Sequence, residues 1–538
     1  MKYNRFWVLI FCAFVASCQK DPDISVSRVN IEFDAFPENS EDVRISSNTK
    51  WTITITPTEA EDWITVEPME GSGRKTVAIS ALDNLELTER TAKIFILSGE
   101  ETDSIMIRQD PSFDVTEKIS DPAFRQFVLN NFDHNGDGKI SMREARSVSS
   151  INARNQQIGR HNGRLDGIEY FTELIRLNIS DNFIENLDLS KNTKLRELNC
   201  AGNRIERLDL RNNIELRILN CGNDLLTSLN IDGLDKLEEL SVWWSELTSI
   251  NVSTNTALRI LEIDGNPISS LNVSNNGNLR QLSVNSCRLT TLDLSNNPLL
   301  EGLYCADNYL TSLNLSANPR LRDLWCDRNR FTGGTINLSN NRELLAFSGI
   351  GNNFTSLDLS NNVNLTRLNV NMNSLTSIDL SNNTELQFLE ITSNNFSVNS
   401  RVDIRNNQRL AIVDFGNNPN IDEILVWHGF LLQALYNQDR YRKDAHARWV
   451  TPPIVVTFEV IGGNGSITAT VNGVGIAQNA EVQQDRTIVF TAAPNNGFRV
   501  RQWRVNGSAI GGNTTNTFPL SNHHEAEARV TVEFMLIN

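Results

Sequence analysis

Leu195-Arg196-Glu197-Leu198-Asn199-Cys200-Ala201-Gly202-Asn203-Arg204-Ile205 is the stretch on which the reading of this chain turns. Its apolar residues stand at Leu195, Leu198, Cys200 and Ile205, with Asn203 before the last, and the leucine that opens it recurs at a fixed interval. Leu174, Leu195, Leu216, Leu237, Leu258, Leu279, Leu300 and Leu321 are each 21 residues apart. A two-residue slip at Gly333-Gly334 moves the register to Leu344, Leu365 and Leu386, and a three-residue slip near Ser397 to Ser400 carries it to Leu410. The interval is far longer than the period of a helix or strand, so it counts twelve copies of one structural unit.

Within each copy the pattern is L-x-x-L-x-L-x-x-N-x-L, which resembles the leucine-rich repeat. Alternation at Leu198 and Cys200 predicts a short strand with one buried face, and the asparagine can bond backbone groups where the chain turns out of that strand. One unit cannot bury its apolar face alone, so the units are expected to stack as a solenoid. The second half of each unit, such as Leu208 to Asn213, alternates and then turns through Asn-rich sequence. This predicts an extended or turn-like back with few helices. Asp224, Ser245 and Cys287 stand where the asparagine is expected, which predicts looser packing there or another bonding group.

At 538 residues the chain is long enough for several domains. A net charge of −16 argues against nucleic acid and anionic membrane surfaces as partners. Seven cysteines form no disulfide framework. Cys200, Cys221, Cys305 and Cys326 fall on inward positions, where a free thiol serves as a small hydrophobe. Adjacent units also bring Cys200 near Cys221 and Cys305 near Cys326, so a disulfide stays open as the other reading.

Residues 1–17 read as an export signal, with Lys2 and Arg5 ahead of an apolar run, ending in Val15-Ala16-Ser17-Cys18. This resembles the lipobox of bacterial lipoproteins, which implies lipid attachment at Cys18; an ordinary cleaved signal or an uncleaved anchor is the alternative. Residues 18–23 form a charged tether similar to those that send some lipoproteins to the outer face of the outer membrane. Residues 24–110 alternate in short segments broken at Pro68 and Gly71-Ser72-Gly73, which predicts a small antiparallel β-sandwich. Asn48, Trp51, Trp63, Gly71, Gly73, Arg90 and Gln109 resemble the BACON domain, an immunoglobulin-like module whose presence implies carbohydrate binding. Trp51 and Trp63 serve either as sugar platforms or as core.

Residues 111–173 contain an amphipathic helix opened by Pro122 and then Asp133-His134-Asn135-Gly136-Asp137-Gly138-Lys139-Ile140-Ser141-Met142-Arg143-Glu144, which fits the EF-hand loop. Asp133, Asn135 and Asp137 would supply oxygens, Lys139 its carbonyl, Ser141 a water and Glu144 both carboxylate oxygens to one structural Ca2+. The placement resembles the helical EF-hand-like caps of internalins. A cap that keeps the shape without the ion is the alternative. Beyond the repeats (174–418), residues 419–450, with Trp427, Tyr436, Tyr441 and Trp449, are expected to cap the last unit. Residues 451–538 begin with a stiff Thr451-Pro452-Pro453 linker. The following segments, Gly462 to Ile467, Phe490 to Pro494 and Gly497 to Gly507, resemble the divergent internalin B-repeat. The fold class is therefore mainly β: a leucine-rich repeat solenoid with an α-helical EF-hand-like N-cap, flanked by an Ig-like β-sandwich and a small C-terminal β-rich domain.

No catalytic constellation is evident. His134, His161, His428, His446, His523 and His524 are scattered, without a partnered nucleophile or metalloprotease spacing, so the chain reads as a non-enzyme. The residue between the two inward strand positions runs Asn178, Asn199, Asn220, Ser241, Glu262, Ser283, Tyr304, Trp325, Ser348, Asn369, Glu390 and Asp414. Tyr304 and Trp325 interrupt a polar column, and Trp243, Glu262, Asp264, Asp323 and Asp327 stand around them. The resulting expectation is a lipid-anchored, outward-facing protein that grips a protein or glycan on the concave face. A carbohydrate-binding or architectural accessory subunit of a surface glycan-utilisation assembly is the alternative. Labelling of cells with radioactive fatty acid should mark the mature protein and spare a Cys18→Ala variant; label that persists in the variant would move the modification elsewhere.

Overall fold

The computed structural model describes residues 23–427, 430, 434, 437, 439–483, 486–521 and 525–537. The signal with Cys18, the tether up to Pro22, His428, Tyr436 and His523-His524 lie outside the described residues. The chain divides into two compact units, one ending at Leu174 and one running from Ile175 to Asn538.

In the first unit, seven strands join into one hydrogen-bonded sheet. The sandwich expected from sequence is thus closed through a single strand, Glu41–Thr56, which pairs with Glu70–Ala81 and then with Arg90–Ser98. Its register shifts between Ser46 and Lys50, and such an irregularity bends a strand. The sheet wraps around Val43, Ile45, Trp51, Val77, Ile94 and Ile107. Gly71 makes room for the core: a Cβ there would overlap the Trp51 indole. The buried Gln109 amide knits three segments, donating from Nε2 to Asp34 O and Leu82 O while Oε1 accepts from Arg90 Nε at 2.8 Å.

Helix α1 (Pro122–Phe132) starts where expected, with Asp121 as N-cap accepting from Phe124 N at 2.9 Å. Proline suits the first turn because its missing N–H would have no partner there. Helix α2 (Met142–Ser147) opens with a capping box between Ser141 and Glu144.

The second unit bears out the repeat. Three-residue parallel strands follow one another in register, Leu198 opposite Leu219 and Leu282 opposite Leu303. The slips appear where the sequence placed them: Leu324 pairs with Phe347, and Leu389 pairs with Val413. No helix interrupts residues 176–414. Cys200, Cys221, Cys287, Cys305 and Cys326 are free and buried. Side chains stacked in parallel point the same way, which does not suit disulfide geometry. Burial pushes the Cys305 thiol up to about 12, and Cys200 and Cys326 well above the usual thiol range, so they remain protonated.

Two asparagine ladders hold the coils. In the first, Asn203 Nδ2 donates to Cys200 O at 2.7 Å in its own coil and to Ile179 O at 3.0 Å in the preceding one, while Oδ1 accepts from Ile184 N at 3.0 Å. Asn308 and Asn329 repeat the arrangement. The second ladder stands in the Asn-rich turns: Asn213 Nδ2 donates to Leu189 O and Asn192 O, both at 3.0 Å, and Asn276, Asn297 and Asn318 do the same one coil apart. These amides satisfy carbonyls that would otherwise be buried without partners.

The three departures behave differently. Cys287 Sγ still donates to Ile263 O, at 3.4 Å. Ser245 Oγ is buried without a bond. Asp224 Oδ1 accepts from Ile205 N at 3.0 Å, but its Oδ2 is buried and unpartnered, standing where the repeat would put a donating amide.

Ser400–Asp403, which precedes the last coil strand Ile412–Asp414, joins Ile421–Leu425 and Arg448–Val450, which follow it, in a small parallel sheet. Phe430 packs on Tyr441 and Trp449, and Trp449 on Phe415. The final module folds as a five-stranded and a four-stranded sheet around Phe490, Trp503 and Phe518. Its first and last strands, Ile454–Ile461 and Glu527–Leu536, run parallel as neighbours.

Burial pushes the Asp224 carboxyl up to about 7, against the opposing effect of N–H groups at Ile205 and Asn203. An unfolded aspartate loses its proton near pH 4, so between about pH 4 and 7 the native state binds more protons and stability falls as pH rises. Asp224→Asn restores the donor. Urea unfolding at pH 8 should show the variant more stable by about 1–3 kcal/mol, the cost of an unsatisfied buried polar group, with the gain fading toward pH 5. An equal gain at both pH values would rule out the carboxyl as its source.

Candidate functional site

Tyr304 and Trp325 are direct partners on the strands Gly302–Tyr304 and Asp323–Trp325. Because Leu303 and Leu324 are buried, strand alternation turns both rings outward. The rings meet edge to face, with centroids 5.9 Å apart and planes inclined at 61°, a favoured aromatic geometry. Trp325 is 42% exposed, whereas Tyr304 is half-buried. The tyrosine lies down over Gly302, where a Cβ would stand 3.2 Å from its Cε2. Gly302 has ordinary negative-φ backbone; what its missing side chain provides is space for the ring.

Beside it lies a groove of about 300 Å³ whose lining includes Ile260, Gln281, Gly302 and Tyr304. Arg280 and Arg322 flank it, each paired with an acid on the following coil: Arg280 with Glu301 at 2.6 Å and Arg322 with Glu343 at 3.5 Å. Such exposed pairs add little stability individually, but they hold the guanidinium groups in place along the groove.

The acids around the aromatic pair divide into two kinds. Asp264 Oδ1 accepts from Ser283 Oγ and Asn285 N, and Asp327 Oδ1 accepts from Ser348 Oγ and Ile350 N, so these carboxylates tie one coil to the next. Glu262 accepts from Ser241 Oγ and Gln281 Nε2, both at 2.8 Å. Asp323, half-buried beside Tyr304, accepts no hydrogen bond from the described residues. Burial raises its carboxyl above the usual range while Arg322 opposes the shift. The Tyr304 hydroxyl is also raised, first by burial and then by Asp323 and Glu262.

Trp243 is not part of this cluster. It lies three coils away, roughly 14 Å at the spacing of strands in a sheet, and its ring occupies the place a Cβ on Gly222 would take. Its neighbour Trp244, 61% exposed, sits over Gly265 in the same manner. Sequence reading passed over Trp244 and Gly302. The available signal was a glycine at a strand position beside a large aromatic residue.

In the loop from Asp133 to Glu144 the oxygens suit a hard cation, yet they are turned to backbone. Asp133 Oδ1 accepts from Gly136 N and its Oδ2 from Gly138 N; Asp137 Oδ1 accepts from Lys139 N. Asn135 Oδ1 accepts from Asp137 N, and Glu144 spends Oε1 on His134 N and Oε2 on Ser141 N and Oγ. Among the described residues no three His, Cys, Asp or Glu side chains gather as a metal-holding group. In the β-sandwich, Trp51 is core, while Trp63 is half-buried beneath the Arg90 guanidinium at 4.3 Å.

Residues 49–110 match the BACON family, described as a putative N-terminal binding domain. No curated protein sequence matches the chain. Among solved structures it is similar to the functional domain of InlJ from Listeria monocytogenes, which includes a cysteine ladder, at 20% identity over 78% of this chain and 98% of that one, with a TM-score of 0.47. It is also similar to YopM, a leucine-rich effector protein from Yersinia pestis, at 18% identity over 56% and 81%, with a TM-score of 0.45. The chain thus carries a BACON-type module at residues 49–110 and, from Leu174 to Phe415, leucine-rich repeats stacked as a solenoid.

Proposed function

We propose that this chain is a lipid-anchored surface protein that binds a protein or glycan on the concave face of its repeats, without catalysis. The observation that carries the reading is the Tyr304–Trp325 pair, two partly exposed aromatic rings in mutual contact on an otherwise polar column. Aromatic residues supply a large share of interface energy, and a structural spacer has no use for an exposed pair of them. The half-exposed rings also cost the core little, since Leu303 and Leu324 do the packing beneath them. A role as an accessory subunit of a surface glycan-utilisation assembly is the second reading, favoured by the BACON match.

Replacing Tyr304 and Trp325 together by alanine should leave the melting temperature unchanged and weaken binding by about 2 kcal/mol or more. A glycan array and pull-down from host extracts provide the ligand for that measurement. Unchanged affinity would move the binding site off this face.

We also propose that the loop from Asp133 to Glu144 takes up one calcium ion. Its backbone is already wound for the task, with Gly136 and Gly138 at positive φ and Asp133 held by amides of the same loop. Binding requires Glu144 to exchange its capping bonds for the ion. Calcium at 100 times its Kd should then add about 2.7 kcal/mol of stability, an increment lost in Asp137→Ala. Coincident unfolding curves with calcium and with chelator, together with no heat of binding, would leave the loop as a metal-free cap.

A further inference from the structure

We propose that the groove centred on Gly302 is a subsite for a neutral, hydroxyl-rich oligosaccharide, with Tyr304 as the stacking wall and Asp323, Gln281 and Arg280 as hydroxyl partners. This deepens the reading of the concave face as a binding surface and rests on it.

Four observations converge. First, the glycine at 302 leaves room for the tyrosine: a Cβ there would already stand 3.2 Å from Tyr304 Cε2, so a bulky side chain such as leucine would press the ring away and remove the wall. A flat ring lying beside a recess is a stacking platform for the apolar face of a sugar. Second, the charges along the groove balance, Arg259, Arg280 and Arg322 against Glu239, Glu301 and Asp323. A highly charged ligand would leave one sign uncompensated, whereas a hydroxyl both donates to carboxylates and accepts from guanidinium groups. Arg280 keeps further N–H donors after pairing with Glu301 through Nη1.

Third, Asp323 is half-buried beside the tyrosine with no hydrogen bond to its carboxylate from the described residues, in contrast to Glu262, Asp264 and Asp327, which are bonded within the sheet. An acceptor placed this way gains most from a donor brought by a ligand. Fourth, the groove volume of about 300 Å³ stands at the lower end of small-molecule sites, which suits one or two rings of a longer chain. Trp325, in edge contact with Tyr304, offers a second surface for the next ring.

The test is calorimetric and fluorescence titration of the whole mature chain with six-ring cello-, xylo-, manno- and galacto-oligosaccharides, and with oligogalacturonate as the charged comparison. At least one neutral probe should bind in preference to oligogalacturonate and alter tryptophan emission. Tyr304→Ala and Gly302→Leu should each weaken that binding at least about tenfold, and Asp323→Ala several-fold, with thermal melts unchanged. Absence of binding across the neutral panel overturns the proposal, as does binding indifferent to Tyr304→Ala and Gly302→Leu, or a preference for oligogalacturonate. Failure here is separable from failure of the concave-face reading. A protein captured by wild type and lost by the Tyr304→Ala, Trp325→Ala double variant would sink the sugar subsite while keeping the face. Retention of every ligand by that double variant would sink both.

Discussion

The structure depends on the buried asparagine amide. A coil that turns out of its strand leaves backbone carbonyls and N–H groups inside the stack, where water cannot reach them, and an unpaired buried group costs about 1–3 kcal/mol. Asn203 meets three such groups with one side chain, donating to its own coil and its predecessor and accepting from Ile184 N. No apolar residue can do this, and aspartate supplies the acceptor without the donor, as the unpartnered Oδ2 of Asp224 shows. The leucines fill the space between coils, but the amides determine where each coil turns.

Other features follow from that constraint. Since each coil bonds to the next at fixed points, an insertion must be absorbed in a turn, and the two-residue slip at Gly333-Gly334 leaves Asn352 Nδ2 still donating to Cys326 O at 2.9 Å. The ladder therefore survives a change of spacing while strand pairing stays in register. Beyond the final coil, where the pattern ends, aromatic side chains replace it: Phe415, Phe430, Tyr441 and Trp449 pack as a cluster.

A scaffold of this kind leaves its outward strand positions out of the core, and the chain uses them unevenly. Most are small and polar. Several acids that look available from their outward position are engaged in the sheet, since Asp264 and Asp327 bridge to serine hydroxyls and backbone N–H groups on the next coil. Around Gly302 the pattern differs, with a missing side chain, a reclined tyrosine and a carboxylate without partners in the described residues.

The sequence by itself determined the repeat, its twelve copies, its two slips and the outward direction of Tyr304 and Trp325, because all of these follow from strict periodicity and from strand alternation. It also placed α1, whose proline and preceding aspartate are local signals. Tertiary structure alone decided which acids are spent within the sheet, because a carboxylate's partners lie one coil, 19 to 23 residues, away. It decided that Glu144 caps a helix in this arrangement, since a capping box and a calcium loop call for the same residue at the same place. It also removed Trp243 from the patch, revealed the groove above Gly302 and joined the expected sandwich through one bent strand. Each of these depends on distances between side chains that are remote in the chain, which periodicity does not encode.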